Sequence, residues 1–399
     1  MYDLLIKNGQ VIDPAANLSG KWDIAIGGTQ IVRIAPGIEE TEARRVLDVA
    51  GKIVAPGLID LHAHVNYGVG TPDINENNAP PDLVGVQSGV TTLVDGGSTG
   101  SHTFGGFVRY VMPTARTRIV AFLNLCRTGW LAQPAMTTRD AVDLESTIRT
   151  IQAYKPTIAG IKLSLWGPVL DVFGIEAMRM AVRATRETGT RLMIHIGDLG
   201  NPPHPRVADF TREALTMMDA GDILLHMCTA KPGGILDAEG KVIPELLAAK
   251  SRGVILDSAQ GRTNFSFEVT RRLRDQGVVP DTISSDVTLG GRTWIVYSLT
   301  ECMAKFLALG FTLEDTIRMT TSNPARALGM SDALGTIATG READLSILEV
   351  VEGDWKLTDS FGQSLQTEKA IVPVVTVRAG EMIMPDWGPH PWGWLPARA

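Results

Sequence analysis

The chain has 399 residues, enough for two or three domains at about 150 residues each. It carries 37 Lys and Arg against 44 Asp and Glu, a formal net charge of -7, so it lacks the basic excess typical of nucleic-acid or membrane-surface binding. No apolar run reaches the roughly 18 residues of a membrane span, and the N-terminus matches neither a signal peptide nor a transit peptide. We therefore expect a cytoplasmic protein that binds neither nucleic acid nor membrane. The three cysteines, Cys126, Cys228 and Cys302, are too few and too widely spaced for a disulfide framework or a CxxC zinc site.

Short stretches of alternating apolar and polar residues occupy the first fifty positions, and the same pattern returns near the C-terminus. Such alternation is typical of half-buried strands in antiparallel sheets. We therefore predict one β-domain built from both ends of the chain, residues 1–53 and 333–385.

The middle of the chain, residues 54–332, contains eight nearly continuous apolar strands, each followed by a helical stretch. The residues that mark the strand ends are His62, Asp95, Leu125, Lys162, His195, His226, Asp257 and Asp286. Their spacing runs from 29 residues, between the last two, to 37 residues, between the third and fourth. Eight such units predict a (β/α)8 TIM-like barrel of the α/β class.

Amphipathic helices fit the gaps between the strands, at 139–154, 174–188, 207–220, 265–276 and 294–309. The glycine-rich stretch 96–101 lacks the Lys-Ser/Thr ending of a phosphate-binding loop, so we predict a flexible rim there. The tail 386–399 is rich in Pro and Trp and cannot form a helix. We expect this tail to pack on the surface or on a neighbouring subunit.

Chemically useful side chains coincide with the predicted strand ends, where barrel enzymes place their active sites. His62 and His64 are two residues apart on one strand and can bind one cation together. Lys162 lies in a buried strand, where an ammonium is costly unless it is neutralised or paired. The alternatives are ordinary ones: core histidines, a structural salt bridge at Lys162, and a helix cap at Asp286.

Several separate stretches make the sequence similar to the amidohydrolase superfamily. They are residues 4–13, residues 54–64 with the pattern HxH, residues 89–92, Ser322-Asn323-Pro324-Ala325-Arg326, and residues 335–345. The resemblance covers nearly the whole chain and implies a metal-dependent amidohydrolase with a barrel, a small β-sandwich from both chain ends, and a homo-oligomer. It also implies two divalent metal ions, usually Zn²⁺, bridged by a lysine that has taken up carbon dioxide.

Carried over to this sequence, the resemblance implies that one metal is held by His62, His64 and Asp286. The other is held by His195 and His226, and the carbamate of Lys162 lies between them. The resemblance further implies a metal-bound hydroxide as nucleophile, with Asp286 as general base and then acid. Imidazole and carboxylate ligands also suit manganese, cobalt and iron.

The substrate is expected to be a small molecule. Dihydroorotases carry an Arg two residues after the second His of HxH, and this chain has Asn66 there. The stretches above are more similar to a deacetylase group, which implies cleavage of an acetyl amide or ester of a carboxylate-bearing substrate, such as an N-acetyl-D-amino acid or an acetylated 2-hydroxy acid. The alternatives are a cyclic-amide hydrolase of the dihydroorotase or hydantoinase kind, an aminohydrolase, and a non-enzymatic assembly protein. Residues in the loops after the strands are the candidate substrate contacts: Tyr67, Trp166, His204, Arg262, Asn264, Gly290 and Arg292.

Overall fold

The computed structural model describes residues 1–70, 76–131 and 135–399. Its central sheet contains seven parallel strands in sequence order. These strands are Leu58–Ala63, Val90–Gly100, Arg118–Asn124, Ile158–Ser164, Arg191–His195, Ile223–Leu225 and Ile255–Leu256. They are rich in Ile, Leu and Val, as strands buried on both faces should be.

An irregular segment, residues 282–287, takes the place of the eighth predicted strand. On one side it bonds to the loop after the seventh strand, where the Gly261 amide donates to the Ser285 carbonyl at 2.9 Å. On the other side it bonds to the first strand, where the Asp286 amide donates to the His62 carbonyl at 2.7 Å. The segment therefore closes the sheet, and the predicted TIM-like barrel is confirmed.

Helices on the outside of the sheet alternate with the strands. The described α-helices are Pro81–Val84, Phe104–Gly106, Leu144–Ala153, Gly167–Phe173, Glu176–Thr188, Val207–Met217, Pro244–Arg252, Phe267–Asp275, Leu289–Arg292, Leu299–Ala308, Leu313–Thr320 and Ser322–Ala327. Several begin at a side-chain cap, such as Asp143 and Ser298, and Glu176–Thr188 ends at the left-handed Gly189. Among the described residues, no helix combines the length and apolarity needed to cross a membrane.

Strands from both chain ends form two further sheets that share one hydrophobic cluster. The four-stranded sheet contains, in order, Gln30–Ala35, Asp23–Gly27, Leu4–Lys7 and Val46–Asp48. The second sheet contains, in order, Glu381–Ile383, Ser364–Arg378, Leu345–Thr358, Ile53–Pro56, Gln10–Asp13 and Leu18–Lys21, with Ala397–Arg398 paired to Leu345–Thr358. Two sheets packed face to face over a common core form a β-sandwich.

Two predictions about irregular regions have definite outcomes. The flexible rim at 96–101 is wrong, because residues 96–100 continue the buried strand Val90–Gly100. The C-terminal tail packs on its own barrel: Asp386 pairs with the buried Arg292, and the buried His390 contacts Glu301 at 2.8 Å. The predicted domain boundaries at residues 53, 332 and 385 stay predictions.

Candidate active site

The six predicted metal ligands converge at the carboxyl ends of the barrel strands. His62, Lys162 and His195 lie at or near the end of a strand, and His226 directly follows one. The remaining two, His64 and Asp286, face each other across the seam where the barrel closes, with 3.3 Å between His64 Nε2 and Asp286 Oδ1. Side chains separated by up to 224 positions therefore meet in one cluster.

Asp286 connects the histidines of the first strand. Its Oδ1 lies 3.5 Å from His62 Nε2 as well as close to His64. His62 Nε2 in turn lies 3.0 Å from Lys162 Nζ. One ligand atom each from His62, His226 and Asp286 lies within 4.8 Å of the others, which is compact enough for one metal ion. This grouping joins His226 to two residues that the resemblance assigns to the other ion.

The histidine rings are oriented by polar groups behind them. His226 Nδ1 lies 2.6 Å from the Ala259 carbonyl and His64 Nδ1 lies 3.0 Å from Ser98 Oγ. Such partners fix the tautomer of a metal-binding imidazole and aim its other nitrogen. His226 Nε2 is buried and has no hydrogen-bond partner among the described residues. Because the Ala259 carbonyl engages Nδ1, Nε2 is the His226 nitrogen that is left to bind a metal.

Burial favours the neutral form of three of the imidazoles, those of His62, His195 and His226. Desolvation, followed by the charge of Lys162, lowers the pKa of His195 to about 4 and that of His62 well below its ordinary value. Burial also lowers the pKa of His226 well below the ordinary value, with His195 as the next cause. Neutral imidazole is the form that binds metals. The donor set of neutral nitrogen and carboxylate oxygen thus fits a divalent metal such as zinc.

Lys162 is buried at 1% exposure and has no carboxylate within ion-pair distance among the described residues. Burial lowers its pKa to about 8, although Asp286 and two other carboxylates act in the opposite direction. A lysine in this state is neutral far more often than an exposed one. The structural salt bridge considered for this position is therefore not what the described side chains form.

Glycines make room for the cluster. A Cβ atom at Gly96 would lie 2.0 Å from His62 Cδ2, and one at Gly97 would lie 2.8 Å from Lys162 Cβ. At Gly261, which has φ +57°, a Cβ would lie 2.4 Å from Asp286 Oδ2. The sequence analysis singled out Gly96 and Gly97 as part of a glycine-rich stretch. These glycines let neighbouring side chains approach a strand closely and do not form a flexible loop.

Two predicted ligands have unusual backbone conformations. His226 and Asp286 adopt φ values of 63° and 53°, in the left-handed region that non-glycine residues seldom occupy. Backbone strain of this kind is concentrated at functional sites. The sequence contains no signal for it.

A cavity of about 340 Å³ opens above the cluster. Its described lining combines five of the six predicted metal ligands with polar, cationic and aromatic side chains. The lining residues are His62, His64, Asn77, Trp130, Lys162, His195, Leu199, Lys231, Arg262, Thr263, Asn264, Asp286, Thr288 and Trp294.

The predicted substrate contacts divide into two groups. Arg262 and Asn264 line the cavity. The other five, by contrast, are absent from its described lining: Tyr67, Trp166, His204, Gly290 and Arg292.

The structure places these five residues as follows. Arg292 is bound by Asp386 of the tail, with 2.6 Å between Nη2 and Oδ2. Trp166 lies beside Trp130, with ring centroids 5.7 Å apart, and Trp130 is the tryptophan that lines the cavity. His204 packs on the Phe210 ring at 5.6 Å. Tyr67 is 39% exposed, and Gly290 lies against the Arg262 guanidinium.

Sequence reasoning missed Trp130, Lys231 and Asn77. Lys231 follows the sixth strand by a few residues, so the rule that located the other loop candidates also applies to it. Asn77 accepts a hydrogen bond from Arg262 Nη2 at 2.9 Å across 185 positions, and no local pattern indicates that contact.

Two buried carboxylates accept hydrogen bonds from the irregular segment 282–287. Asp60 accepts hydrogen bonds from the Ser285 amide and hydroxyl, and Asp257 accepts from the Ser284 and Thr282 hydroxyls. Burial raises the pKa of both carboxyls to about 7. These residues hold the backbone that presents Asp286.

Comparison with known proteins agrees with this geometry. The sequence model of the amidohydrolase family matches residues 53–377. A protein named deacetylase from Agrobacterium fabrum is 28% identical over 365 residues, 90% of this chain and 86% of that protein. Another named deacetylase, from Enterococcus faecalis, is 29% identical over 384 residues, 96% of this chain and 99% of that protein. A crystal structure of an adenine deaminase has a TM-score of 0.84 and 29% identity, and the match covers 96% of this chain and 100% of that one.

The barrel and the cluster at its mouth define a TIM-barrel hydrolase. The chain belongs to the amidohydrolase family, and it is a hydrolase that acts on carbon–nitrogen bonds. Members of the family are generally metal-dependent, and the His and Asp cluster described above could hold a metal ion. The predicted family and enzyme class are thereby confirmed.

Proposed function

We propose that this protein is a divalent-metal-dependent deacetylase that cleaves an acetyl amide or ester of a small carboxylate-bearing substrate. Similarity to two proteins named deacetylase over most of both chains supports the acetyl group as the part removed. The observation that carries the substrate class is the cationic wall of the cavity, which faces the ligand cluster.

The cationic wall consists of Arg262 and Lys231. Neither side chain forms an ion pair with a described residue, and Asp286 is the only acidic side chain in the described lining. A positively charged pocket with uncompensated donors attracts an anionic substrate. The Arg262 guanidinium, oriented by Asn77, can bind a carboxylate in a bidentate manner, which favours a planar anion over a neutral ring.

We propose that six side chains hold two divalent metals, and zinc suits their imidazole and carboxylate donors. The proposed ligands are His62, His64 and Asp286 for one ion, His195 and His226 for the other, and Lys162 between them. For Lys162, we propose that its neutral amine bonds to the carbon of CO2. One C=O electron pair then moves to oxygen, the amine proton leaves to solvent, and the resulting carbamate is an anionic ligand.

Metal ions in such a site lower the pKa of a bound water and polarise a substrate carbonyl. The chain's own contribution to catalysis is Asp286, whose carboxylate lies beside the ligand cluster and within the cavity. We propose that an Asp286 oxygen accepts the proton of the attacking water and then delivers it to the leaving nitrogen or oxygen. Gly261 leaves the space that this carboxylate needs.

The test is hydrolysis of a matched substrate panel by the metal-loaded protein. The panel contains N-acetyl-D- and N-acetyl-L-amino acids and acetylated 2-hydroxy acids, each with its neutral methyl ester at the carboxyl group. We expect turnover of an acetylated acid with at least tenfold higher kcat/KM than that of its methyl ester. Equal turnover of acid and ester, or no turnover of any acetyl compound, contradicts the proposal.

A second candidate is hydrolysis of a ring C–N bond, as in an aminohydrolase or a cyclic-amide hydrolase. The match to the adenine deaminase structure, at an identity similar to that of the deacetylases, favours including it. Adenine, dihydroorotate and hydantoins therefore belong in the same panel. Turnover confined to these ring compounds would be compatible with the proposed metal ligands, but it would show that the substrate is a ring compound and not an acetyl compound.

A further inference from the structure

The longest hairpin in the described part of the chain extends from the β-sandwich to the barrel. Its strands, Leu345–Thr358 and Ser364–Arg378, contain 14 and 15 residues. The base of the first strand pairs with Ile53–Pro56 in the sandwich, whereas Leu357, near the tip, is buried in the hydrophobic cluster of the barrel. The tip of the hairpin therefore lies against the barrel.

Ser360, at this tip, forms hydrogen bonds with both ends of the loop that follows the seventh barrel strand. Its hydroxyl donates to the Gly261 carbonyl at 2.9 Å and accepts from the Phe265 amide at 3.3 Å. Its own amide donates to the Phe265 carbonyl at 2.9 Å. One serine thus bonds both ends of a five-residue loop.

Asp359 fixes the next part of the same loop. Its Oδ2 accepts from the Phe267 amide at 2.9 Å, at the first turn of the helix Phe267–Asp275. A carboxylate at a helix N-terminus satisfies a free amide and interacts favourably with the helix dipole. Asp359 is 1% exposed, so this contact is a buried one.

The three residues enclosed by the Ser360 contacts all line the cavity: Arg262, Thr263 and Asn264. We propose that Ser360 is a positioning residue for this substrate-binding loop. The β-sandwich thereby controls the substrate end of the active site, while the barrel alone holds the metal-ligand cluster. The kinetic part of this inference rests on the proposed function.

The expected defect lies in substrate binding. The Ser360→Ala variant loses both hydroxyl contacts, and it leaves a buried amide and a buried carbonyl without that partner. Because the loop that presents Arg262 loses two of its contacts, we expect a roughly tenfold increase in KM for an acetylated carboxylate substrate. The kcat should change less than about twofold, because the Asp286 amide still donates to the His62 carbonyl and the Ser285 amide still donates to Asp60.

The experiment compares Ser360→Ala with the wild type and with Ser364→Ala, a control on an exposed serine of the same hairpin. KM and kcat are measured for the acetylated acid and for its methyl ester. Ser360→Cys, which keeps a weak donor of similar size, should give an intermediate KM and serves if the alanine variant does not fold. Ser360→Thr, which keeps the hydroxyl, should restore the wild-type KM.

Hydrogen–deuterium exchange of the folded variants measures the loop without any substrate. We expect faster exchange over residues 261–267 in Ser360→Ala and unchanged exchange over residues 282–287. If the wild type cleaves no acetyl compound, the proposed function fails and the exchange experiment alone decides the role of Ser360. Unchanged exchange, or an equal loss of kcat/KM for acid and ester, would overturn the inference.

Discussion

The two halves of the cavity differ in how their side chains are positioned. The ligand half comes from strand ends, where His62, Lys162 and His195 are fixed by the register of a parallel sheet. The substrate half comes from loops, where Arg262 donates to Asn77 and the tip of a distant hairpin bonds to the neighbouring Gly261. Chemistry common to a family can therefore remain on the barrel while loop contacts change the substrate.

Lys162 gives the largest expected effect and tests the ligand half. Lys162→Ala removes the proposed bridge, so both metal content and activity should fall. Residues that merely orient metal ligands contribute about 10- to 100-fold, and we expect a loss of kcat/KM of at least about 100-fold here. Metal analysis and kinetics measure both effects, with the exposed Lys241→Ala as control. Normal metal and activity in Lys162→Ala would exclude the carbamate.

Arg262 gives the next largest effect and tests the substrate half. Arg262→Ala should raise KM for the acetylated acid about 10- to 100-fold, since a charge-assisted hydrogen bond contributes roughly 1.5–3 kcal/mol. Its metal content should equal that of the wild type. Steady-state kinetics with Arg326→Ala as the control, an exposed arginine elsewhere, will measure this. A fall in metal content would show that the two halves are not separable.

Gly96 tests the space that the ligand half needs. Gly96→Ala places a Cβ 2.0 Å from the His62 ring, so we expect a loss of about 1–3 kcal/mol in stability and a lower metal content. Gly106→Ala is the matched control, because a Cβ there meets no atom within 4 Å. Urea unfolding and metal analysis distinguish the two variants. Equal stability of both would contradict the packing described here.

Asp257 gives the smallest effect, and its sign depends on pH. Burial raises the pKa of this carboxyl to about 7 from 3.8, so the folded protein keeps a proton that the unfolded chain releases above about pH 4. The carboxyl therefore costs stability progressively as the pH rises from about 4 to 7.

Asp257→Asn removes the ionisable carboxyl and therefore this loss of folding stability at higher pH. Measured by urea unfolding, the variant's stability relative to wild type should increase by about 1 kcal/mol or more from pH 5 to pH 8. Asp354→Asn, at an exposed position, should show no such trend. A flat difference for Asp257→Asn would mean that this carboxyl ionises normally.

The sequence predicted most of the fold because apolar strand patterns recur at even spacing. It predicted the barrel and the sheets from both chain ends. It did not predict that Gly96 and Gly97 lie in a buried strand, because glycine is typical of loops and only the ring of His62 and the chain of Lys162 require it there. The irregular closure by residues 282–287 depends on side-chain acceptors on Asp60 and Asp257, which no local pattern indicates.

The sequence predicted the strand-end residues of the candidate site but only two of the seven proposed substrate contacts in its loops. Residues at strand ends were brought together as expected, because the sheet itself places them. Residues in loops are placed by long-range contacts: Arg292 pairs with Asp386 of the tail, and Trp130 rather than Trp166 lines the cavity. A substrate pocket formed by such contacts requires a structure.

The most direct test of the account is the metal content of the purified, zinc-supplemented protein, measured by inductively coupled plasma mass spectrometry. The six proposed ligands, which converge at the strand ends, predict close to two divalent ions per chain. A chain that contains no stoichiometric metal would contradict the central claim that the strand-end cluster is a metal centre.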